Sequence, residues 1–282
     1  KNMIIESGFA NSKGTKLYFE VAGSGDSLTL IQGSALDNRM WDSQFTEFAQ
    51  HYQVIRYDVR GYGQSIPNNT HGKYSHHEDL LAILDHLGVE SSHVLGLSMG
   101  GSIAIDFALT HPDKTDSLIP VSSVLGGYND EYIESWAQYP TYSTKKRNSQ
   151  KNEKRTVDVF KESGLDAAKD HIFNDFKQGI EDIDLLRRIL DEYSGLQLTH
   201  PEINENEILV TPFPVNRLSE LKMPTLIIVG EQDSRGIHGI ATLIEQEVEM
   251  VRKVIIGNAG HMCSMQNSVE FNQIVLDFLN DL

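Results

Sequence analysis

Gly96-Leu97-Ser98-Met99-Gly100 is a G-x-S-x-G sequence that joins an apolar run, residues 94–97, to a segment of small residues typical of a helix start. A strand that turns sharply into a helix holds its middle residue in a strained conformation, with the side chain thrust outward. Glycines are needed on both sides because a Cβ there would collide with the turn. The free N–H groups at the start of the helix favour negative charge that develops at the serine. The pattern predicts that Ser98 is a nucleophile.

The same segment has two other interpretations, an ordinary glycine-rich turn between a strand and a helix, or a nucleotide-binding loop. The second is disfavoured because the chain contains neither G-x-G-x-x-G nor G-x-x-x-x-G-K-[ST]. The position of the sequence between an apolar strand and a small-residue helix favours the nucleophile.

A serine hydroxyl is a weak nucleophile at neutral pH and needs a base. Of the 11 histidines, His261 alone follows both a predicted strand, residues 253–256, and a small-residue loop, Gly257-Asn258-Ala259-Gly260. This places its imidazole at the carboxyl edge of the sheet, where Ser98 also emerges and where open α/β sheets bind ligands. The other histidines fall in predicted helices, turns or the insertion described below, where a solvated or capping role is the default.

The third member of a triad must accept the other imidazole N–H. Asp233 follows the predicted strand 225–229, and the order serine, aspartate, histidine is the one expected for this architecture. Glu231 competes, but it lies too close to the strand end to reach across. The strand 118–121 is followed by Ser122 and Ser123, which offer no carboxylate. We therefore predict that Asp233 orients His261.

An oxyanion that forms during acyl transfer needs two N–H donors. The backbone N–H of Met99, directly after the nucleophile, is the first prediction. The second donor is expected from the loop Gln32-Gly33-Ser34, which follows the apolar run 28–31, and the Ser34 N–H is the choice.

Helix and strand patterns alternate along most of the 282 residues, and a hydrophobic content of 39% is enough to bury a large core. The alternation predicts an α/β fold with a mostly parallel sheet and helices on both faces. One helix is expected after Ser75, whose hydroxyl forms a capping box with Glu78, and Gly88 ends it.

Residues 125–215 break the alternation, because they are polar, charged and helical in pattern. We predict a core domain formed by residues 1–124 and 216–282, with 125–215 as a helical cap inserted over one end of the sheet. Trp136, Tyr139 and Phe160 are the predicted walls of a substrate pocket, with packing inside the cap as the alternative role.

The formal net charge of −16 disfavours nucleic acid and anionic membranes as partners. The single cysteine, Cys263, excludes an intramolecular disulfide and a cysteine-based metal site. No apolar run approaches the roughly 20 residues that cross a bilayer, and no signal-peptide pattern opens the chain. We expect a cytoplasmic protein that needs no metal or organic cofactor.

Taken together, the motifs resemble those of the α/β-hydrolase superfamily, in particular small bacterial carboxylesterases, 3-oxoadipate enol-lactonases and cofactor-free haloperoxidase-like esterases. The resemblance spans nearly the whole chain and implies an eight-stranded, mostly parallel sheet with a helical cap after the sixth strand. The matching segments are Gln32-Gly33-Ser34, Tyr57-Asp58-Val59-Arg60-Gly61-Tyr62-Gly63-Gln64-Ser65, Gly96-Leu97-Ser98-Met99-Gly100-Gly101, Gly230-Glu231-Gln232-Asp233 and Gly257-Asn258-Ala259-Gly260-His261.

The chain departs from the family pattern at informative positions. The oxyanion loop often begins with His-Gly in this family, and here it begins with Gln32. A serine at position 98 argues against dehalogenases and epoxide hydrolases of this fold, which use an aspartate nucleophile. Carbon–carbon bond hydrolases usually carry a tryptophan after the histidine, where this chain has Met262.

The resemblance implies hydrolysis of a small, apolar carboxylic ester or lactone through an acyl-enzyme on Ser98. Perhydrolysis or carbon–carbon bond hydrolysis by the same triad is the first alternative. A ligand-binding or sensor protein with little turnover is the second, because unrelated functions share this scaffold.

Overall fold

The computed structural model describes residues 3–69, 71–128 and 155–282. They form an eight-stranded sheet in the order β1-β2-β4-β3-β5-β6-β7-β8, in which β1, β2 and β4 pair antiparallel and all later neighbours are parallel. The strands are β1 (Ile5–Ser12), β2 (Thr15–Ala22), β3 (Ser27–Ile31), β4 (Gln53–Tyr57), β5 (Ser92–Leu97), β6 (Thr115–Val121), β7 (Thr225–Gly230) and β8 (Val251–Ile256). The predicted α/β fold with a mostly parallel sheet is confirmed.

The central strands are apolar because helices cover both faces of the sheet. Every residue of β3, β5 and β7 is buried. The longer helices are α1 (Asp42–Phe48), α2 (His76–Leu87), α3 (Met99–Thr110), α4 (Thr156–Phe176), α5 (Ile183–Glu192), α6 (Arg235–Glu247) and α7 (Ser268–Asn280). α1 packs against α7, and α2 packs against α3.

Helix α2 confirms one predicted boundary and corrects another. Gly88 ends the helix in the left-handed conformation, with φ 68°. Ser75 occupies the N-cap position, but its hydroxyl makes no capping hydrogen bond, so the predicted capping box is wrong. The Glu78 carboxylate instead lies 3.2 Å from Nε2 of His111, a partner that is distant in sequence.

The described part of the predicted insertion, residues 125–128 and 155–215, contains helices and no strand. Besides α4 and α5 it forms the short helices Leu196–Thr199 and Glu202–Glu205, and Pro214–Asn216 is a 3₁₀ helix. Gly164, with φ 84°, interrupts α4. α5 buries one face and packs against the 3₁₀ helix Asn38–Trp41, which follows the loop after β3. The insertion therefore contacts the edge of the sheet at which Ser98 emerges.

Across the described ranges, no helix is both long enough and apolar enough to span a lipid bilayer.

Candidate active site

Ser98 lies between the last residue of β5 and the first residue of α3, in a conformation that side chains rarely adopt. Its φ is 57° and its ψ is −113°. The backbone holds it there, because its N–H donates to the Val121 carbonyl at 2.9 Å and its carbonyl accepts from Ser102 N–H at 3.1 Å. Strain of this kind persists only where the surrounding structure over-determines it, and it concentrates at functional sites.

The glycines around Ser98 are required by close backbone packing. A Cβ on Gly96 would lie 2.1 Å from the Gly100 carbonyl oxygen. A Cβ on Gly100 would lie 2.3 Å from the carbonyl oxygen of Ile31, at the end of β3. α3 thus begins directly against the neighbouring strand, which is why the turn is sharp.

His261 and Asp233 form a hydrogen-bonded pair. Nδ1 of His261 lies 2.9 Å from Oδ2 and 3.2 Å from Oδ1 of Asp233. The aspartate side chain is 4% exposed and the histidine side chain 29%, and Oδ1 also accepts the Ser234 N–H at 2.7 Å. Because a carboxylate is only an acceptor, the proton of a neutral imidazole belongs on Nδ1, which leaves the Nε2 lone pair free to act as a base.

The loop that carries His261 folds back from β8 over the end of β7. The Gln232 N–H donates to the Ala259 carbonyl at 2.8 Å, and a Cβ on Gly230 would lie 2.1 Å from the Gly260 carbonyl oxygen. This close approach brings the imidazole toward the strand that carries Asp233.

Glu231, the competing acid, has a different partner. Its carboxylate accepts the Asn258 N–H at 3.0 Å and so holds the histidine loop in place. Of the two carboxylates after β7, Asp233 is the one hydrogen-bonded to the imidazole.

Ser98, Asp233 and His261 follow β5, β7 and β8, whose carboxyl ends lie at one edge of the parallel sheet. Among the described residues, no hydrogen bond joins the Ser98 hydroxyl to His261. The structure therefore brings the acid and the base together and places the serine at the same edge, while the serine–histidine contact stays a prediction. Without substrate, catalytic hydrogen bonds are often long or poorly aligned and tighten in the reacting complex.

The predicted oxyanion loop is fixed by Gln32, which is fully buried. Its Nε2 donates to the Leu36 carbonyl and its Oε1 accepts the Val59 N–H at 3.2 Å. The glutamine thus joins the loop after β3 to the loop after β4. The Ser34 hydroxyl lies 3.1 Å from the Tyr62 hydroxyl, and no described group accepts the Ser34 N–H. The assignment of Ser34 and Met99 as oxyanion donors stays a prediction.

Asp58 is a buried carboxylate whose role sequence reasoning missed. It accepts the Asn38 N–H at 2.9 Å, the Asn38 amide at 2.7 Å and the Gln64 N–H at 2.7 Å. Burial raises the pKa of Asp58 to about 6, although these hydrogen bonds oppose the shift. Its position directly after β4 was a signal, because the other site residues also follow strands.

The predicted pocket walls are only partly described. Phe160 lies on α4 and is partly exposed. Trp136 and Tyr139 lie outside the described residues. Cys263 is fully buried, and burial raises its pKa to about 12.

Comparisons with known proteins agree with this architecture. A family model for the alpha/beta hydrolase fold matches residues 26–268. A 2-hydroxy-6-oxononadienedioate/2-hydroxy-6-oxononatrienedioate hydrolase from Cupriavidus pinatubonensis is 29% identical over 238 residues, 82% of this chain and 77% of that protein. An uncharacterized carboxylesterase from Bacillus subtilis is 23% identical and covers 90% of this chain and 79% of its own length.

The crystal structure of an enol-lactonase from Burkholderia xenovorans superimposes with a TM-score of 0.75 at 19% identity, and it covers 98% of this chain and 100% of its own. At that identity the likeness concerns the fold.

Proposed function

The chain belongs to the alpha/beta hydrolase fold family, and from that membership we propose that it is a serine hydrolase that cleaves a small carboxylic ester or lactone. The observation that carries the proposal is the Asp233–His261 hydrogen bond at the sheet edge where the strained Ser98 emerges. Similarity to a carboxylesterase and, in fold, to an enol-lactonase supports the same chemistry.

In the proposed mechanism, Nε2 of His261 takes the Ser98 proton as the serine oxygen attacks the carbonyl carbon. The N–H groups of Ser34 and Met99 bind the oxyanion, and Asp233 stabilises the imidazolium. His261 then gives the proton to the leaving alkoxide, and the acyl-enzyme remains on Ser98. A water molecule, deprotonated by His261, hydrolyses the acyl-enzyme in the second half of the reaction.

We further propose that residues 125–215 act as a cap over this edge. Three contacts join the described part of the insertion to the loops after β3 and β4. Arg39 pairs with Glu192 at 2.8 Å, and the rings of Tyr62 and Tyr193 stack with centroids 6.2 Å apart. The Gln197 amide donates to the Gly61 carbonyl at 3.0 Å.

Covalent labelling tests the nucleophile. A fluorophosphonate probe should form one adduct, which peptide mapping locates on Ser98, and Ser98→Ala should abolish it. His261→Ala should slow labelling by roughly two orders of magnitude or more, because the serine then lacks its base. Ser102→Ala, which removes a hydroxyl one helical turn away, is the matched control and should label like wild type. An adduct on another serine, or none, would overturn the proposal.

Carbon–carbon bond hydrolysis is the second candidate, favoured by the 29% identity to the Cupriavidus hydrolase. The substrate named for that enzyme is a dicarboxylate with a ketone and no ester, so hydrolysis there must break a bond between carbons. Parallel rates on p-nitrophenyl acetate, a γ-lactone and a 2-hydroxy-6-oxodienoate separate the two activities. We expect the highest kcat/KM on the ester or lactone, and a dominant rate on the dienoate would select the alternative.

A further inference from the structure

A cavity of about 230 Å³ lies beside α3, between this helix and the segment 204–214 of the insertion. Met99, Ser102, Ile103 and Asp106 line it from one face of α3, at helical spacing. The cavity therefore begins one residue after the proposed nucleophile and extends about two helical turns along α3. It is smaller than the roughly 300–1,000 Å³ typical of complete ligand pockets, so it suits a small group.

The charge inside the cavity is negative. Asp106 and Glu207 both line it, from α3 and from the insertion. Arg60 lines it too, but it is paired with another carboxylate. It donates to both carboxylate oxygens of Asp79, at 2.7 and 2.6 Å, and further to the Ser12 carbonyl and the Thr15 hydroxyl. Because the Arg60–Asp79 pair is neutral, Arg60 does not neutralise Asp106 or Glu207.

Two buried polar atoms on the cavity walls have no hydrogen-bond partner among the residues that the structure describes. They are Oδ1 of Asp106 and Nδ1 of His76, whose side chain is 11% exposed. Nε2 of His76 lies 4.0 Å from Glu207. Because unsatisfied buried polar atoms are rare in folded proteins, these two atoms are candidate contacts for a polar ligand.

The electrostatics of Asp106 favour a cation as the ligand. Burial, together with the charge of Glu207, raises its pKa to about 7, although the charge of Arg217 opposes the shift. A carboxyl group in this position holds a proton near neutral pH because burial and the neighbouring carboxylate outweigh the effect of the arginine. A bound cation would replace that proton.

We propose that this cavity binds a small organic ammonium group, with its positive charge between Asp106 and Glu207. The walls favour such a group over a metal ion, since Tyr62, Tyr74 and Phe213 contribute aromatic side chains to the lining. Magnesium and calcium ions instead demand six or more oxygen ligands.

Calorimetric titration with n-butylammonium, and with 1-butanol as its neutral analogue, tests the proposal. The ammonium should bind and the alcohol should not. The affinity should rise about tenfold between pH 6 and pH 8, as Asp106 loses its proton while the ligand stays charged. In Asp106→Asn the affinity at pH 8 should fall roughly tenfold or more, and its pH dependence should vanish.

Three further variants test whether binding depends on the carboxylates of this cavity rather than on surface charge or on the proposed nucleophile. Glu207→Gln removes the like charge, so binding should weaken and its pH midpoint should move lower, a shift that a purely structural defect would not produce. Asp166→Asn removes an exposed carboxylate on α4 and should bind like wild type. Ser98→Ala should also bind normally, whether or not the proposed hydrolysis is correct. Equal binding of 1-butanol, unchanged binding by Asp106→Asn, or preferential binding of Mg²⁺ would overturn the proposal.

Discussion

Asp233 determines which tautomer the imidazole of His261 adopts. Its buried carboxylate accepts the Nδ1 proton, so the ring is held in the tautomer whose Nε2 can take a proton from a hydroxyl. Glu231, two residues earlier, has the same charge but holds the backbone of the histidine loop. The two carboxylates therefore offer a matched comparison of the proposed catalytic role of Asp233 with a supporting role.

Asp233→Asn should lower kcat on p-nitrophenyl acetate by roughly 10³–10⁴-fold, because an amide N–H facing Nδ1 stabilises the wrong tautomer. Thermal unfolding should show that the variant is folded. Glu231→Gln keeps an oxygen acceptor for Asn258 and should retain kcat within about tenfold. If Glu231→Gln lost as much activity as Asp233→Asn, the acid of the triad would be wrongly assigned.

The first turn of α3 packs directly against the end of β3. The hypothetical Cβ of Gly100 would meet the carbonyl oxygens of Ile31 at 2.3 Å and of Gln32 at 2.6 Å. Both oxygens belong to the backbone, which cannot move aside as the end of a flexible side chain could. The same contact aligns the serine turn with the loop that carries Ser34, so packing between these elements also sets the geometry of the proposed oxyanion site.

Gly100→Ala should therefore lower the free energy of unfolding by about 2 kcal/mol or more, since α3 must move away from β3. Urea denaturation measures this loss. Gly72→Ala is the control, because no atom of the described residues lies within 4 Å of its hypothetical Cβ; its stability should stay within about 0.5 kcal/mol of wild type. Equal free energies of unfolding for the two variants would show that the backbone around Gly100 can shift to accommodate a Cβ.

The sequence was most informative where a strand is followed by a candidate catalytic residue. The apolar runs before Ser98 and Asp233 are buried strands, the run before His261 is a partly exposed strand, and all three are parallel, which brings their carboxyl ends to one edge. Local pattern was therefore enough to predict this edge. It was less informative at β1, which no local pattern predicted, because this edge strand is largely exposed and lacks a buried apolar run.

Contacts between distant segments could not be predicted from local pattern. Glu78 meets His111 rather than the start of its own helix, and Gln32 joins two loops through its side chain. The cavity beside α3 needs both Asp106 and Glu207, which are about 100 residues apart in sequence. Each of these features depends on packing that only the folded chain defines.

Two carboxyl groups, Asp58 and Asp106, are kept in environments that oppose ionisation, in a chain that already carries a net charge of −16. Such groups lower the free energy of unfolding as the pH rises. Below about pH 3, both the folded and the unfolded chain hold these protons. As the pH rises from there toward 7 the unfolded chain releases the Asp106 proton first, because its ordinary pKa is 3.8 while the folded value is about 7. The unfolded state then binds fewer protons, so stability falls as the pH rises through this range.

Asp106→Asn cannot ionise and should therefore gain stability relative to wild type as the pH rises. We expect the difference in the free energy of unfolding to move in favour of the variant by about 1–3 kcal/mol between pH 4 and pH 8, less than full burial would give because the side chain is partly exposed. Urea denaturation of both proteins at the two pH values measures it. Asp166→Asn, on an exposed surface, should differ from wild type by the same amount at both values. A constant difference for Asp106→Asn, or a shift in favour of wild type, would show that the carboxyl group is ionised in the folded protein without cost.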